Sequence, residues 1–263
     1  MSELTKNALD SIEAAVKIIL SSKYVVALVG AGISVESGIP PFRGPGGIWT
    51  KYGEPGMDGF QRFLDNPKKW WTDRLHPRDD WRIQHHNVLA QAQPNSGHFA
   101  LVELEEIGVL KSIITQNVDN LHFKAGSKNV IEIHGNAFKL RCLRCNERFD
   151  QDTFQVKDLP PRCPRCGGIV KTDSVMFGEP IPQDVLIKCY AEIEKCDCMM
   201  LVGTSGVVYP AASFPKAVKS NRGVLIEVNP YETALTSACD IVIRAPSGKA
   251  LPVLVNRIKM SRG

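Results

Sequence analysis

With 263 residues, 23% of them charged and 43% hydrophobic, the chain has the composition of an ordinary globular protein, which excludes a collagen-like, disordered or coiled-coil architecture. Its 32 Lys and Arg against 28 Asp and Glu leave a net charge of +4, too small an excess to make nucleic acid the main ligand. No apolar run approaches the roughly 18 to 20 residues of a membrane span, and the N-terminal MSELTKNALD lacks a charged-then-apolar leader pattern, so a cytoplasmic protein with no membrane partner is expected.

Residues 5–21 place Leu9, Ile12, Val16, Ile19 and Leu20 at helical spacing and predict an amphipathic helix. The apolar run 24–29 then stops at Gly30-Ala31-Gly32, the pattern of a buried parallel strand. Residues 40–96 are rich in Pro, Gly, Trp and charge and predict loops and short helices. Further strands are expected at 113–114, 130–133, 198–202, 224–228 and 241–243, and helices at 97–107, 184–195, 211–220 and 248–259. This alternation implies an α/β fold, a doubly wound and mostly parallel Rossmann-like sheet. Polar groups cluster just beyond the strands: Gln116 and Asn117, His134, Thr204 and Ser205, Asn229. Ligands of such folds bind beyond the carboxyl ends of the strands.

Four of the eight cysteines form two Cys-x-x-Cys pairs, Cys142 with Cys145 and Cys163 with Cys166, while Cys189, Cys196, Cys198 and Cys239 are scattered. The paired spacing suits one tetrahedral zinc ion, with thiolates at about 2.3 Å. Four thiolates leave no open position, so such a zinc is structural. Arg141, Arg144 and Arg165 can offset thiolate charge, and Gly167-Gly168 supplies a turn. Two redox pairs are the weaker reading, because neither sits at a strand-to-helix turn. The segment 138–172 has little periodicity and reads as a small zinc-ribbon module inserted into the sheet domain.

The run Gly30-Ala31-Gly32-Ile33-Ser34 after a strand suits a pyrophosphate, although a lone Gly-x-Gly is also simply a tight turn. The dinucleotide fingerprint G-x-G-x-x-G fails at Val35, the next glycine being Gly38, and no acidic residue ends a second strand about 20 residues on. A hydride-transfer dehydrogenase is therefore disfavoured. Instead, GAGISVESGIPPFRG (30–44) resembles the sirtuin signature. TQNVDNLH (115–122), HGN (134–136), both cysteine pairs, FGE (177–179), GTS (203–205) and VNP (228–230) follow in that family's order, across roughly residues 10–258. The resemblance is to the prokaryotic type, nearest the class III-like branch. It implies one catalytic domain: a Rossmann-like part (1–40, 97–137, 173–263), a helical and cofactor-loop insert (41–96) and the zinc ribbon (138–172).

The resemblance further implies NAD-dependent protein lysine deacylation, with NAD as co-substrate and a structural Zn2+. In that chemistry the acyl-lysine carbonyl oxygen attacks ribose C1′ as nicotinamide leaves, and water finally releases free lysine and O-acyl-ADP-ribose. His134, with Asn117, would be catalytic; a neutral imidazole can take a ribose hydroxyl proton at pH 7. Gly30, Ala31, Gly32 and Ser34 would meet the phosphates, and Ile33, exposed by the turn, would border nicotinamide. Phe42 would cover the sugar face, and Arg43 would pair with phosphate or ribose unless it is a solvated loop charge. Pro41 departs from the Asp or Thr common there. Gln116 and Asn117 would orient the riboses and Asp119 the nicotinamide amide; Asn117 and Asp119 also suit N-capping of a helix starting near Val118. Gly203, Thr204, Ser205 and Asn229 correspond to the adenosine turn, and Cys239 to an adenine contact or a buried thiol.

Val175, Met176, Phe177, Gly178 and Glu179 correspond to the segment that pairs with substrate as an added strand, or else to a core strand; Val207, Val208 and Tyr209 form the opposite wall. The branch that removes succinyl or malonyl groups uses a Tyr and an Arg three residues apart. Here Trp71 and Arg74 stand there, which places deacetylation or apolar deacylation ahead of desuccinylation. The partners implied are acylated lysines in proteins, nucleic acid entering only indirectly where substrates bind DNA. Mono-ADP-ribosylation on the same site is the competing enzyme reading. A zinc-ribbon binding module, resting on Arg141, Arg144, Arg148, Arg162 and Arg165, leaves the glycine loop and His134 unexplained.

Overall fold

The computed structural model describes residues 4–77 and 80–262, without the side chains of 80–82 and 85. Helix α1 (Lys6–Ser21) opens under Thr5, whose hydroxyl accepts the Ala8 N–H at 3.2 Å, and leads into strand β1 (Val25–Val29). Four short helices follow: α2 (Ile48–Tyr52), α3 (Gly59–Asp65), α4 (Pro67–Leu75) and α5 (Asp80–Gln91). Then come α6 (Ser96–Glu106), β2 (Leu110–Thr115), α7 (Leu121–Ala125) and β3 (Val130–Glu132). Strands β4 (Lys139–Cys142), β5 (Arg148–Asp150) and β6 (Val170–Thr172) are short. The chain ends with α8 (Gln183–Lys195), β7 (Cys198–Val202), α9 (Phe214–Ser220), β8 (Val224–Val228), β9 (Ile241–Ile243) and α10 (Ser247–Arg262).

Six strands form one parallel sheet in the order β3-β2-β1-β7-β8-β9. All five residues of β1 and of β7 are buried, which is why both read as unbroken apolar runs. Side chains alternate across the sheet. Val25, Ala27 and Val29 meet Ile12, Ile19, Leu101 and Leu254 of α1, α6 and α10 on one face. Val26 and Leu28 meet Cys189, Ile193, Phe214 and Val218 of α8 and α9 on the other. The strand order reverses between β1 and β7, and the crevice of a doubly wound sheet lies at such a reversal. Among the described residues no helix is long and apolar enough to cross a membrane.

The 138–172 segment, in which the sequence shows little periodicity, folds as an antiparallel sheet in the order β5-β4-β6. Its strands span three or four residues, too short for a two-residue period to show. Phe63 of α3 and Trp71 of α4 pack on Leu140, Val170, Cys142 and Cys163, so these helices and the cysteine sheet share one apolar core.

Candidate active site at the carboxyl rim of the parallel sheet

Beyond β1 the chain turns through a 3-10 helix, Ala31–Ser37, against the loop that follows β7. Gly32 donates its N–H to the Gly203 carbonyl at 2.8 Å, and Gly30 donates to Val202 at 3.0 Å. A Cβ on Gly32 would lie 2.6 Å from Gly203 Cα, and Gly203 itself has φ +58°. The two loops thus cross backbone to backbone, which requires glycine on both sides. Ile33 departs from expectation: it is 0% exposed, joined to the core with Val29 and Val202, and so presents no side chain to the rim. The tight turn directs Ile33 inward and Ser34 toward the polar groups beyond β2.

Those groups form one connected set. Gln116 donates Nε2–H to Thr204 Oγ1 at 2.8 Å. Asn117 donates to the Gly30 carbonyl and to Ser34 Oγ, both at 3.2 Å. Ser34 donates to Asp119 Oδ2 at 2.6 Å, while Asp119 Oδ1 accepts the Leu121 N–H at 3.0 Å. Helix α7 begins at Leu121 rather than near Val118, with Asn120 at its N-cap; of the two residues expected there only Asp119 reaches its first turn, and the Asn117 amide is drawn to the glycine loop. Burial pushes the Asp119 carboxyl above its ordinary pKa, against the Ser34 and Leu121 hydrogen bonds that favour its charge. Beyond β8, Asn229 donates to the Thr204 carbonyl at 3.2 Å. Ser205 is exposed beside this turn, and Ala31 is half-buried.

His134 stands two residues beyond the end of β3, and its Nδ1 lies 3.1 Å from the Gln116 carbonyl oxygen. A carbonyl only accepts, so Nδ1 carries the proton and the Nε2 lone pair of the neutral ring is free. Burial draws the His134 pKa below its ordinary value, the Gln116 carbonyl opposing. Gly135 has φ +72° and passes so close to the Asp173 carbonyl that no Cβ fits. His98 and His122 are instead core residues with ring centroids 5.1 Å apart, and burial lowers their pKa values to about 4 and about 3.

Other expected residues lie around this centre with different partners. Phe42 stacks on Trp49 at 4.7 Å, and Trp49 meets the Phe177 ring edge at 5.3 Å. Arg43 lies 4.5 Å over the Trp49 ring and is ion-paired with Glu54, so it is neither a free loop charge nor unengaged. Residues 175–179 lie outside every strand: the Val175 N–H is bound by the His134 carbonyl at 2.8 Å, and Phe177 and Gly178 turn back. A core strand is thereby excluded. Glu179 turns its carboxylate inward, to Lys171, 3.0 Å away, to Arg141 and to the Met176 N–H at 2.9 Å. Tyr209 is 76% exposed and Val207 44%, while Val208 is half-buried. Cys239 donates its thiol to the Leu235 carbonyl at 3.2 Å, and burial raises its pKa to about 12.

Trp71 and Arg74, which stand where the desuccinylating branch has its Tyr and Arg, have partners of their own. Trp71 is 3% exposed and donates its indole N–H to the Val170 carbonyl at 2.9 Å. Arg74 faces Gln151 at 3.5 Å and lies 5.8 Å over Trp70, toward the cysteine sheet. The apolar core under α4 claims the indole.

The Sγ atoms of Cys142, Cys145, Cys163 and Cys166 all lie within 4.8 Å of one another, with Cys142 to Cys166 at 3.4 Å and Cys145 to Cys163 at 3.8 Å. Thiolates about 2.3 Å from one tetrahedral zinc are about 3.8 Å apart, so the cluster fits the ion. Each pair closes on a positive φ, Asn146 at 57° and Gly167 at 72°. A Cβ on Gly168 would lie 2.9 Å from Cys142 Sγ, so glycine makes room for the thiolates. Arg165 pairs with Glu147 and also feels the charge of Cys145 and Cys163, and Arg144 binds the Cys166 carbonyl through its guanidinium; Arg141 departs from expectation, turning to Asp173 and Glu179. Lys171, Asp173 and Asp184 were not foreseen; Lys171 is a charged residue in a three-residue strand, which gives no sequence signal of burial.

A glycine crossing at a sheet reversal, an imidazole beyond β3 and a thiolate cluster fitted to zinc define an α/β protein of the nucleotide-binding type with a metal-binding module. A family model described as the Sir2 family matches residues 30–210, and the chain belongs to that family. It is 42% identical over 248 residues to the NAD-dependent protein deacylase of Pyrococcus abyssi, covering 92% of this chain and 96% of the relative. A Sir2 homologue mutant solved with ADP-ribose is 42% identical with a TM-score of 0.81, covering 95% of this chain and 97% of its own. A Sir2–p53 peptide–NAD+ structure is 31% identical with a TM-score of 0.75, covering 95% and 99%.

Proposed function

We infer that this chain is an NAD-dependent protein lysine deacylase, acting on acetyl-lysine ahead of succinyl-lysine. The observation that carries this reading is His134, whose Nδ1–H is held by the carbonyl of Gln116, leaving the Nε2 lone pair for a proton, while the Gln116 side chain reaches Thr204 beside the glycine crossing. The neutral donor set around the glycine loop, Ser34, Asn117 and Thr204, suits a pyrophosphate and riboses. Bound NAD supplies a ribose carbon that becomes electrophilic as nicotinamide departs. His134 Nε2 takes a proton from a ribose hydroxyl, the general-base role of a neutral imidazole. Asn117 and Asp119, cross-linked through Ser34, hold the reacting end in orientation, a contribution of positioning and preorganised charge. Gly30, Ala31 and Gly32 offer backbone to the phosphates, Thr204, Ser205 and Asn229 face the adenosine side, and Phe42 screens water. Arg43 would exchange Glu54 for phosphate.

The acyl-lysine strand lies between Val175–Gly178 and Val207–Tyr209, with the Val175 carbonyl toward its amide. The buried, hydrogen-bonded Trp71 supports the acetyl preference, because its indole N–H is not available to an acyl carboxylate. The cysteine cluster holds zinc away from the chemistry, and the free thiols of the described residues suit the cytoplasm. The deciding test is incubation with NAD and an acetylated peptide, reading free lysine and O-acyl-ADP-ribose. Formation of both, strictly dependent on NAD and suppressed by added nicotinamide, is expected. Deacylation without NAD, or mass spectrometry showing ADP-ribose on protein without acyl loss, overturns the reading, and faster turnover of succinyl-lysine overturns the acyl order.

A further inference from the structure

Lys171 is 0% exposed, yet carries an ammonium group. It donates to the carbonyls of Thr172 and Ser174 at 2.6 and 2.8 Å and reaches Glu179 Oε2 at 3.0 Å. That same oxygen accepts the Met176 N–H at 2.9 Å, and the other carboxylate oxygen meets Arg141. Asp173, at the start of the segment, accepts from Arg148 Nε at 3.2 Å and is ion-paired with Arg141 Nε at 3.2 Å, and Arg148 also reaches Asp184 at the start of α8, 3.1 Å away. Three cations from β4, β5 and β6 thus grip both ends of one connection, residues 173–184. Within it, Val175 is bound by the His134 carbonyl. Buried charges of this kind persist only when paired, and removing one partner is far more disruptive than removing both.

We propose that Glu179 is a positioning residue: with Lys171 and Arg141 it latches residues 175–178 in the shape that receives the substrate backbone, without serving the NAD pocket. The proposal rests on the reading of 175–178 as the substrate segment. A carboxylate has two acceptor oxygens and both are used here. In Glu179→Gln one oxygen becomes an NH2, so either Arg141 or the Lys171–Met176 pair faces a donor instead of an acceptor.

The test compares wild type, Glu179→Gln, Lys171→Met and the double variant as zinc-loaded full chains. For Glu179→Gln the KM for an acetyl-lysine peptide should rise at least tenfold, with NAD Kd by calorimetry within twofold and one zinc per chain. The double variant should be no worse than the more damaged single one. Met176 amide exchange should quicken at least tenfold in Glu179→Gln while amides of β1 and β7 keep their rates, a readout that needs no substrate. Should Glu179→Gln lose its zinc, Glu179→Asp serves: it keeps the charge, cannot span to Met176, and should show the same rise in peptide KM. An unchanged peptide KM, or NAD affinity falling in parallel with it, overturns the latch. Wild-type protein with no deacylation but with the exchange effect overturns the functional reading and leaves the latch standing.

Discussion

The general-base role proposed for His134 needs a lone pair on Nε2. The Gln116 carbonyl fixes the tautomer by holding the proton on Nδ1, and burial, acting against that hydrogen bond, disfavours the charged ring. With a pKa below the ordinary value of about 6.5, the group is neutral throughout the neutral range. Activity is therefore expected to be level above that value and to fall as acid protonates the ring below it. A kcat profile whose acid limb sits above pH 7 contradicts the assignment. His134→Ala should lower kcat by about 10² to 10⁴ with NAD affinity within about twofold. Of the site residues, those placed just after strands were legible, because a strand end fixes where they stand. Ile33 and Trp71 were not. Whether a side chain in a 3-10 turn or on a short helix points to a rim or a core depends on what packs behind it, and no neighbouring residue states that.

Between elements, two contacts set what the sequence can tolerate. Gly135 joins β3 to the cysteine sheet with φ +72° against the Asp173 carbonyl. Gly135→Ala should cost about 1–3 kcal/mol from its backbone alone, and more from the contact, read as a lowered Tm and lost activity. His98 and His122 lie between α6 and α7, with His98 Nε2 and both His122 nitrogens unpartnered among the described residues. Their folded pKa values are depressed, so the unfolded chain binds more protons below about pH 6.5. Stability is then complete above that value and declines as pH falls toward 4, by up to about 1.4 kcal/mol per pH unit per histidine. His122→Leu should flatten this dependence in urea titrations between pH 7 and 5; an unchanged slope contradicts the assignment. The parallel strands were legible because burial on both faces writes itself as an apolar run. β4, β5 and β6 were not, being short and stabilised by ions and thiolates rather than by alternating apolar residues.

For the molecule as a whole, the sheet and its direction followed from alternation of strands and helices, but the division of labour did not. α3 and α4 pack on the cysteine sheet through Phe63 and Trp71, contacts between segments as much as 99 residues apart, as for Trp71 and Val170, that no local pattern encodes. Chelating the metal should therefore loosen β4–β6 together with α3 and α4, while the parallel sheet persists. Hydrogen exchange should show protection lost at 139–142 and 170–172 and kept at 25–29 and 198–202; uniform loss contradicts this partition.

The crossing of Gly32 with Gly203 also bears on synthesis. The first strand made, β1, is central, and the neighbour on its reversal side arrives about 170 residues later. A ribosome-bound chain halted before β7 emerges has no floor for the dinucleotide. Competence to hold it is acquired late and in one step, so truncated products of this protein should neither sequester nor consume the cell's NAD.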